Sequence, residues 1–148
     1  MKRSARVLLV DDYSPFLEFL STSIRQMSDL EIVGEATEGM EAVQKAQDLH
    51  PDLILLDIGL PRLNGIEAVR LIRKVSQDSK ILMVSTQCSL DVVREALRSG
   101  ASGCLVKSDI VSELRIAIET ALDGRRFIST SVEGANLIET AEPNGSSF

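Results

Sequence analysis

At 148 residues, with 44% hydrophobic and 26% charged content, the chain has the size and apolar surface of one soluble domain, which excludes a wholly disordered polypeptide. Its net charge of −6 argues against a segment that grips nucleic acid by itself, because such domains ordinarily carry a basic face. No apolar run approaches the roughly 20 residues of a spanning helix, and residues 1–10 are too short for a secretory signal, so the chain is read as cytoplasmic and free of the membrane.

Five apolar runs of strand length recur along the chain, at residues 5–10, 31–36, 52–56, 80–84 and 103–106. Several are too continuous for strands exposed on one face, which implies strands buried on both. Helical spacing fills the intervals. Phe16, Phe19, Leu20, Ile24 and Met27 share the first face; Val43 and Ala46 the second; Ile66, Val69 and Ile72 the third; Val92, Val93, Ala96 and Leu97 the fourth. After the last run, Ile110, Leu114, Ala117, Ile118 and Ala121 form a fifth.

Boundary residues agree with these periods. Ser14 is placed to cap the first helix, with Pro15 in its first turn, where a missing N–H costs nothing. Thr37, Asn64, Ser89 and Ser108 stand at the other helix starts, and Gly100 and Gly124 stand where a left-handed residue ends a helix. Strict strand–helix alternation with short loops predicts right-handed crossovers and a parallel five-stranded sheet covered on both faces, an α/β doubly wound (βα)5 fold. From about residue 125 the pattern fades. Residues 125–148 read as a linker-like segment, and 139–148, polar with Pro, Gly and Ser, as a disordered tail.

Ligands of open parallel sheets bind at the carboxyl ends of the strands. Asp11 and Asp12 follow strand 1, Asp57 closes strand 3, Ser85 follows strand 4 and Lys107 follows strand 5. Taken singly, an Asp at a strand end is ordinarily a loop or cap residue. Together, three carboxylates, a hydroxyl and an amine on one rim call for a hard cation such as Mg²⁺ between the acids and an anion facing Lys107 and Ser85. That is the donor set of an aspartyl-phosphate site.

The blocks VLLVDDYSPF, DLILLDIGLPRLNGIE, ILMVST and GASGCLVKSD resemble, in order and separation, the signature blocks of response-regulator receiver domains. The resemblance covers residues 3–124 and is nearest to the NarL/FixJ (LuxR-type) subfamily of these CheY-like domains. It implies a flavodoxin-like sheet in the order 2-1-3-4-5. By position, it also implies Asp57 as phosphoacceptor; Asp12, Asp57 and the backbone carbonyl of Gly59 as direct ligands of Mg²⁺ or Mn²⁺; and Asp11 acting largely through water. Lys107 is expected to pair with the phosphoryl group and Ser85 to hydrogen-bond it. Pro61 and Gly65 match the loop after the acceptor, and their ordinary turn chemistry is also their expected role. The expected partner is a sensor histidine kinase or phosphotransfer protein, with homodimer formation on phosphorylation. The only expected catalysis is self-phosphorylation and autodephosphorylation. The expected output is transcription regulation through a DNA-binding domain absent from this chain, or else a stand-alone receiver acting by protein–protein interaction or as a phosphate sink.

Several positions depart from the family pattern or tune it. Cys104 stands where the family usually has a Tyr or Phe that rotates inward on activation, so the aromatic switch is missing. Thr86, Gly59 and Gln87 flank the site, the last two at positions that vary across the family and tune phosphoryl lifetime. Residues 124–132, GRRFISTSV, resemble the lead into a helix-turn-helix domain, with Thr130 where Pro is common. Cys88 and Cys104 lack CxxC spacing and are read as two thiols of a reducing cytosol, with a redox pair near the ends of adjacent strands 4 and 5 as the lesser alternative, and His50 as a solvated surface residue. Two rivals fit less well. An aspartate-nucleophile phosphohydrolase carries DxDx[TV], and the run from Asp57 to Leu60 lacks the second Asp; a flavodoxin needs a hydroxyl-rich phosphate cradle where this chain has Asp11 and Asp12.

Overall fold

A computed structural model describes residues 4–61, 63–86 and 88–132. The elements run β1 (Ala5–Val10), α1 (Ser14–Arg25), β2 (Leu30–Ala36), α2 (Gly39–Leu49), β3 (Leu53–Asp57), α3 (Gly65–Val75), β4 (Lys80–Ser85), α4 (Leu90–Ser99), β5 (Gly103–Val106), α5 (Ile110–Leu122) and β6 (Phe127–Ile128). All neighbouring strands pair in parallel, in the order β2-β1-β3-β4-β5-β6.

The continuous apolar runs are divided by the period of two that every strand imposes. Val7, Leu9, Leu53 and Leu55 face α1 and α5, where they pack with Leu20, Ile24, Leu114 and Ile118. Leu8, Val10, Ile54 and Leu56 face the other way, against Val43, Val69, Ile72, Val93 and Ala96 of α2, α3 and α4. Every residue of β3 is buried, as befits a central parallel strand covered on both sides. β2, at one edge, is only partly covered.

The expectation of five strands is corrected by the sixth. β6 extends the sheet beyond β5, with Gly103 opposite Phe127 and Cys104 opposite Ile128. Two residues are too few to show a period, which is why residues after 125 read as patternless. A Cβ on Gly103 would lie 2.0 Å from the Phe127 carbonyl oxygen, so only glycine lets the two backbones meet. Ser129 then donates its N–H to the Cys104 carbonyl at 3.0 Å and accepts the Val106 N–H on its hydroxyl at 2.8 Å. Ile128 and Val132 are buried against the core. The expected tail at 139–148 lies outside the described residues.

The capping residues divide into two groups. Asn64 accepts the Glu67 N–H at 2.9 Å and Ser89 accepts the Val92 N–H at 3.2 Å, as expected. Gly100 and Gly124 hold φ values of 116° and 80°, the left-handed region expected of them. Ser14 is instead the first helical residue, with Tyr13 before it, and the loop is held by Asp11 Oδ1 accepting the Tyr13 N–H at 2.8 Å. Glu38 occupies the position expected of Thr37; Thr37 gives its N–H to Glu41 at 2.9 Å. Ser108 lies inside a short 3-10 turn, Lys107–Asp109, and Asp109 precedes α5. His50 is exposed but has a structural task, ending α2 at φ 44° while its carbonyl accepts from Arg6. Phe19, counted on the apolar face of α1, is 39% exposed and stacks on Phe16 instead.

Candidate functional site: an acidic rim with one lysine

The register of the sheet brings the strand ends level. Val10 pairs with both Ala36 and Leu56, Asp57 with Val84, and Ser85 with Val106, so the residues that follow share one rim. One carboxylate oxygen from each of Asp11, Asp12 and Asp57 lies within 4.8 Å of the others. Asp11 is fully buried and Asp57 nearly so, while Asp12 is exposed.

Lys107 closes the group from β5. Its Nζ lies 2.8 Å from Asp11 Oδ2 and 4.0 Å from Asp57 Oδ1. The same ammonium sits 4.3 Å from the centre of the Phe16 ring, whose face favours a cation. Phe16 was legible only as one more residue of the apolar stripe of α1, and nothing in its spacing distinguishes a ring that faces a lysine from one that faces the core. Asp57 Oδ1 accepts the Gly59 N–H at 3.2 Å. Burial pushes the Asp57 carboxyl above its ordinary range, and the negative charge of Asp11 pushes it the same way; the Gly59 N–H and Lys107 oppose them, and Asp12 adds a smaller upward push.

The loop after Asp57 is pinned by a close backbone approach. A Cβ on Gly65 would stand 2.6 Å from Ile58 Cα and 2.9 Å from the Asp57 carbonyl oxygen, and the Gly65 N–H reaches the Ile58 carbonyl at 2.9 Å. Pro61 turns the same loop, its carbonyl accepting the Leu63 N–H at 2.7 Å. Gly65 therefore lets α3 begin directly against the acceptor strand. Ser85 is buried at the end of β4 and Thr86 beyond it is exposed. Cys104 is buried on β5, its Sγ 2.7 Å from that of Cys88; Gln87 lies outside the described residues.

Three acids against one ammonium leave negative charge that water reaches poorly. Asp11 Oδ2 is buried and is held by the Lys107 ammonium at 2.8 Å, so the one lysine is engaged chiefly by Asp11. Three carboxylates with oxygens within 4.8 Å of one another, only one of them closely paired with the lysine, make an all-oxygen donor set that fits a hard divalent cation.

Known proteins agree with this geometry. The response regulator receiver domain family matches residues 7–119. The chemotaxis protein CheY of Thermotoga maritima is 39% identical over 102 residues, covering 69% of this chain and 84% of its own. The transcriptional regulatory protein LiaR of Bacillus subtilis is 33% identical across 87% of this chain, which spans 61% of that protein. The crystal structure of a LuxR-family two-component response regulator from Aurantimonas sp. superposes with a TM-score of 0.86 at 33% identity, covering 94% of this chain and 99% of that one. The chain belongs to the response regulator receiver family of two-component signal transduction, with neighbours of the LuxR and NarL type. Receivers of this family bind Mg²⁺ at an acidic pocket, and in this chain Asp11, Asp12 and Asp57 form an acidic cluster. Among the described residues, no helix is long and apolar enough to cross a membrane.

Proposed function

We propose that Asp57 is the phosphoacceptor and that Asp11, Asp12 and Asp57, with the Gly59 carbonyl, hold the Mg²⁺ or Mn²⁺ its reaction requires. The observation that carries this reading is the placement of Asp57. It is a buried carboxylate within 4.8 Å of two others, with the Lys107 ammonium 4.0 Å from its Oδ1. A bound divalent cation neutralises the acids and polarises a phosphoryl oxygen.

The chain's own groups do the rest. Gly59 orients the Asp57 carboxylate through its N–H, and Lys107 faces the incoming phosphoryl oxygens with fixed positive charge. A carboxylate oxygen of Asp57 bonds to phosphorus as the P–N bond to the kinase's histidine breaks, and the histidine keeps the electron pair. Ser85, one residue past the pairing partner of Asp57 on the adjacent strand, is assigned to hydrogen-bond the phosphoryl group and draw the β4–α4 loop inward. Such a shift is a change of population driven by contacts made only in the phosphorylated state. Hydrolysis of the acyl phosphate by water ends the signal, and no other reaction is assigned to the chain.

The receiver unit is assigned to residues 3–124, extended by the docked segment that carries β6. The chain spans 61% of LiaR, and the output is read as control of transcription through a DNA-binding domain beyond this segment. Acetyl phosphate with Mg²⁺ tests the site. Intact-mass spectrometry is expected to show one added phosphoryl group on the wild type and none on Asp57→Asn or on wild type in chelator. An undiminished phosphoprotein signal from Asp57→Asn would refute the assignment.

A further inference from the structure

The two cysteines are free thiols, and the structure brings them into contact. Cys88 lies in the loop between β4 and α4, and Cys104 lies within β5, the strand next to the edge of the sheet, yet their Sγ atoms are 2.7 Å apart. Carbon and sulfur atoms that merely pack do not come so close, and a disulfide bond needs only a further approach to about 2.0 Å. Both side chains belong to the apolar cluster on the α2–α3–α4 face, Cys104 buried at 1% exposure and Cys88 half-buried at its edge. Cys88 is thus the more exposed residue of the pair, and Cys104 lies behind it in the core.

We propose that Cys88 and Cys104 are a modification site, an attacking and a resolving thiol that close an intramolecular disulfide on exchange with a low-molecular-weight disulfide. The Cys88 thiolate attacks one sulfur of the reagent, forming a mixed disulfide and expelling one thiolate. Cys104 gives up its proton to that thiolate and attacks Cys88 Sγ, expelling the second. Two protein thiols are oxidised and one reagent disulfide is reduced to two thiols. The acid–base balance of the pair agrees with this order. Either sulfur can donate in the neutral pair; with Cys88 ionised the Cys104 S–H is the donor, which lowers the Cys88 pKa against the effect of burial, while the same contact and burial raise that of Cys104.

The bond would cross from the loop that follows Ser85 and Thr86 to the strand that ends at Lys107. It would fasten the segment that must move inward on phosphorylation, so oxidation would hold the receiver in one arrangement. This consequence rests on the proposed function, whereas formation of the bond does not.

The test uses the whole chain incubated with oxidised glutathione without denaturant, quenched with an alkylating reagent and mapped by non-reducing peptide mass spectrometry. A Cys88–Cys104 cross-link reversed by dithiothreitol is expected in the wild type. Cys104→Ser is expected to stop at a stable mixed disulfide on Cys88, and Cys88→Ser to leave Cys104 unmodified. Cys104→Ala provides a second variant, with the same expectation, that leaves no buried hydroxyl. Wild type that ends with mixed disulfides on both cysteines, or with both thiols alkylated, would overturn the site. The second arm compares beryllofluoride-induced amide shifts in oxidised and reduced protein. Loss of the shifts in residues 86–99 on oxidation is expected. Equal shifts in a cross-linked protein would refute the lock while leaving the site, and absence of shifts in reduced protein would instead refute the phosphoacceptor assignment.

Discussion

Asp57 occupies its place in the acidic rim at a cost to the fold. Its carboxyl titrates above the usual range, chiefly through burial and then through Asp11, so the folded chain holds that proton more tightly than the unfolded chain does. A group whose native pKa is raised contributes stability that is complete below the unfolded-state pKa and is lost as pH rises through the native one. At neutral pH without metal, ionised Asp57 therefore weakens the fold. Asp57→Asn is expected to raise Tm at pH 7 in chelator. The difference should vanish as pH falls below the ordinary carboxylate range, where Asp57 is protonated and resembles Asn. Thermal melts across that pH range decide it, and a lower Tm for Asp57→Asn at pH 7 would contradict the electrostatic account. The convergence of Asp11, Asp12, Asp57, Ser85 and Lys107 was legible because each closes a strand, and parallel register aligns strand ends. Phe16 was not, since its contact with Lys107 depends on the angle at which α1 crosses the sheet.

Local signals at the ends of elements were legible when the side chain itself makes the bond. Asn64 is such a case, and Asn64→Ala is expected to cost about 1 kcal/mol in denaturant titration, with an unchanged m-value. Ser14, Thr37 and Ser108 were misplaced by a residue or so because carboxylates of Asp11 and Glu41, or a 3-10 turn, organise those starts instead. β6 was illegible as a strand, although Gly103 carried its trace as a glycine at the head of an apolar run. Gly103→Ala would place a methyl group 2.0 Å from the Phe127 oxygen. It is expected to destabilise by about 1–3 kcal/mol, the usual cost of overpacking. Amide exchange is expected to quicken at Phe127, Ser129 and Val106 more than in β1 or β3. Uniform quickening across the sheet would show that β6 is not a separable edge.

At the scale of the molecule, one sheet joins the acidic rim to the docked segment. β5 presents Lys107 to the carboxylates at its end, and its backbone is bonded to Ser129 on its outer edge. Beyond it, Thr130 donates to Glu113 and Ser131 to Asp109, both on the approach to or within α5. A movement of Lys107 thus has a short covalent and hydrogen-bonded path to the chain that follows. The fold class was legible from alternation alone, because five buried strands separated by amphipathic helices leave few arrangements. On the proposed ligand set, Mg²⁺ is expected to raise the Tm of the wild type in a concentration-dependent way, since a cation held only by the folded rim would relieve its repulsion. Asp12→Ala should shift less at the same concentration, and an equal shift in both would remove Asp12 from the ligand set. The central claim is that a phosphoryl group resides on Asp57, and borohydride trapping reads it directly because it reduces an acyl phosphate to an alcohol. After reaction with acetyl phosphate and Mg²⁺, peptide mass spectrometry is expected to find homoserine at position 57. Homoserine at position 11 or 12, with position 57 still aspartate, would contradict the account.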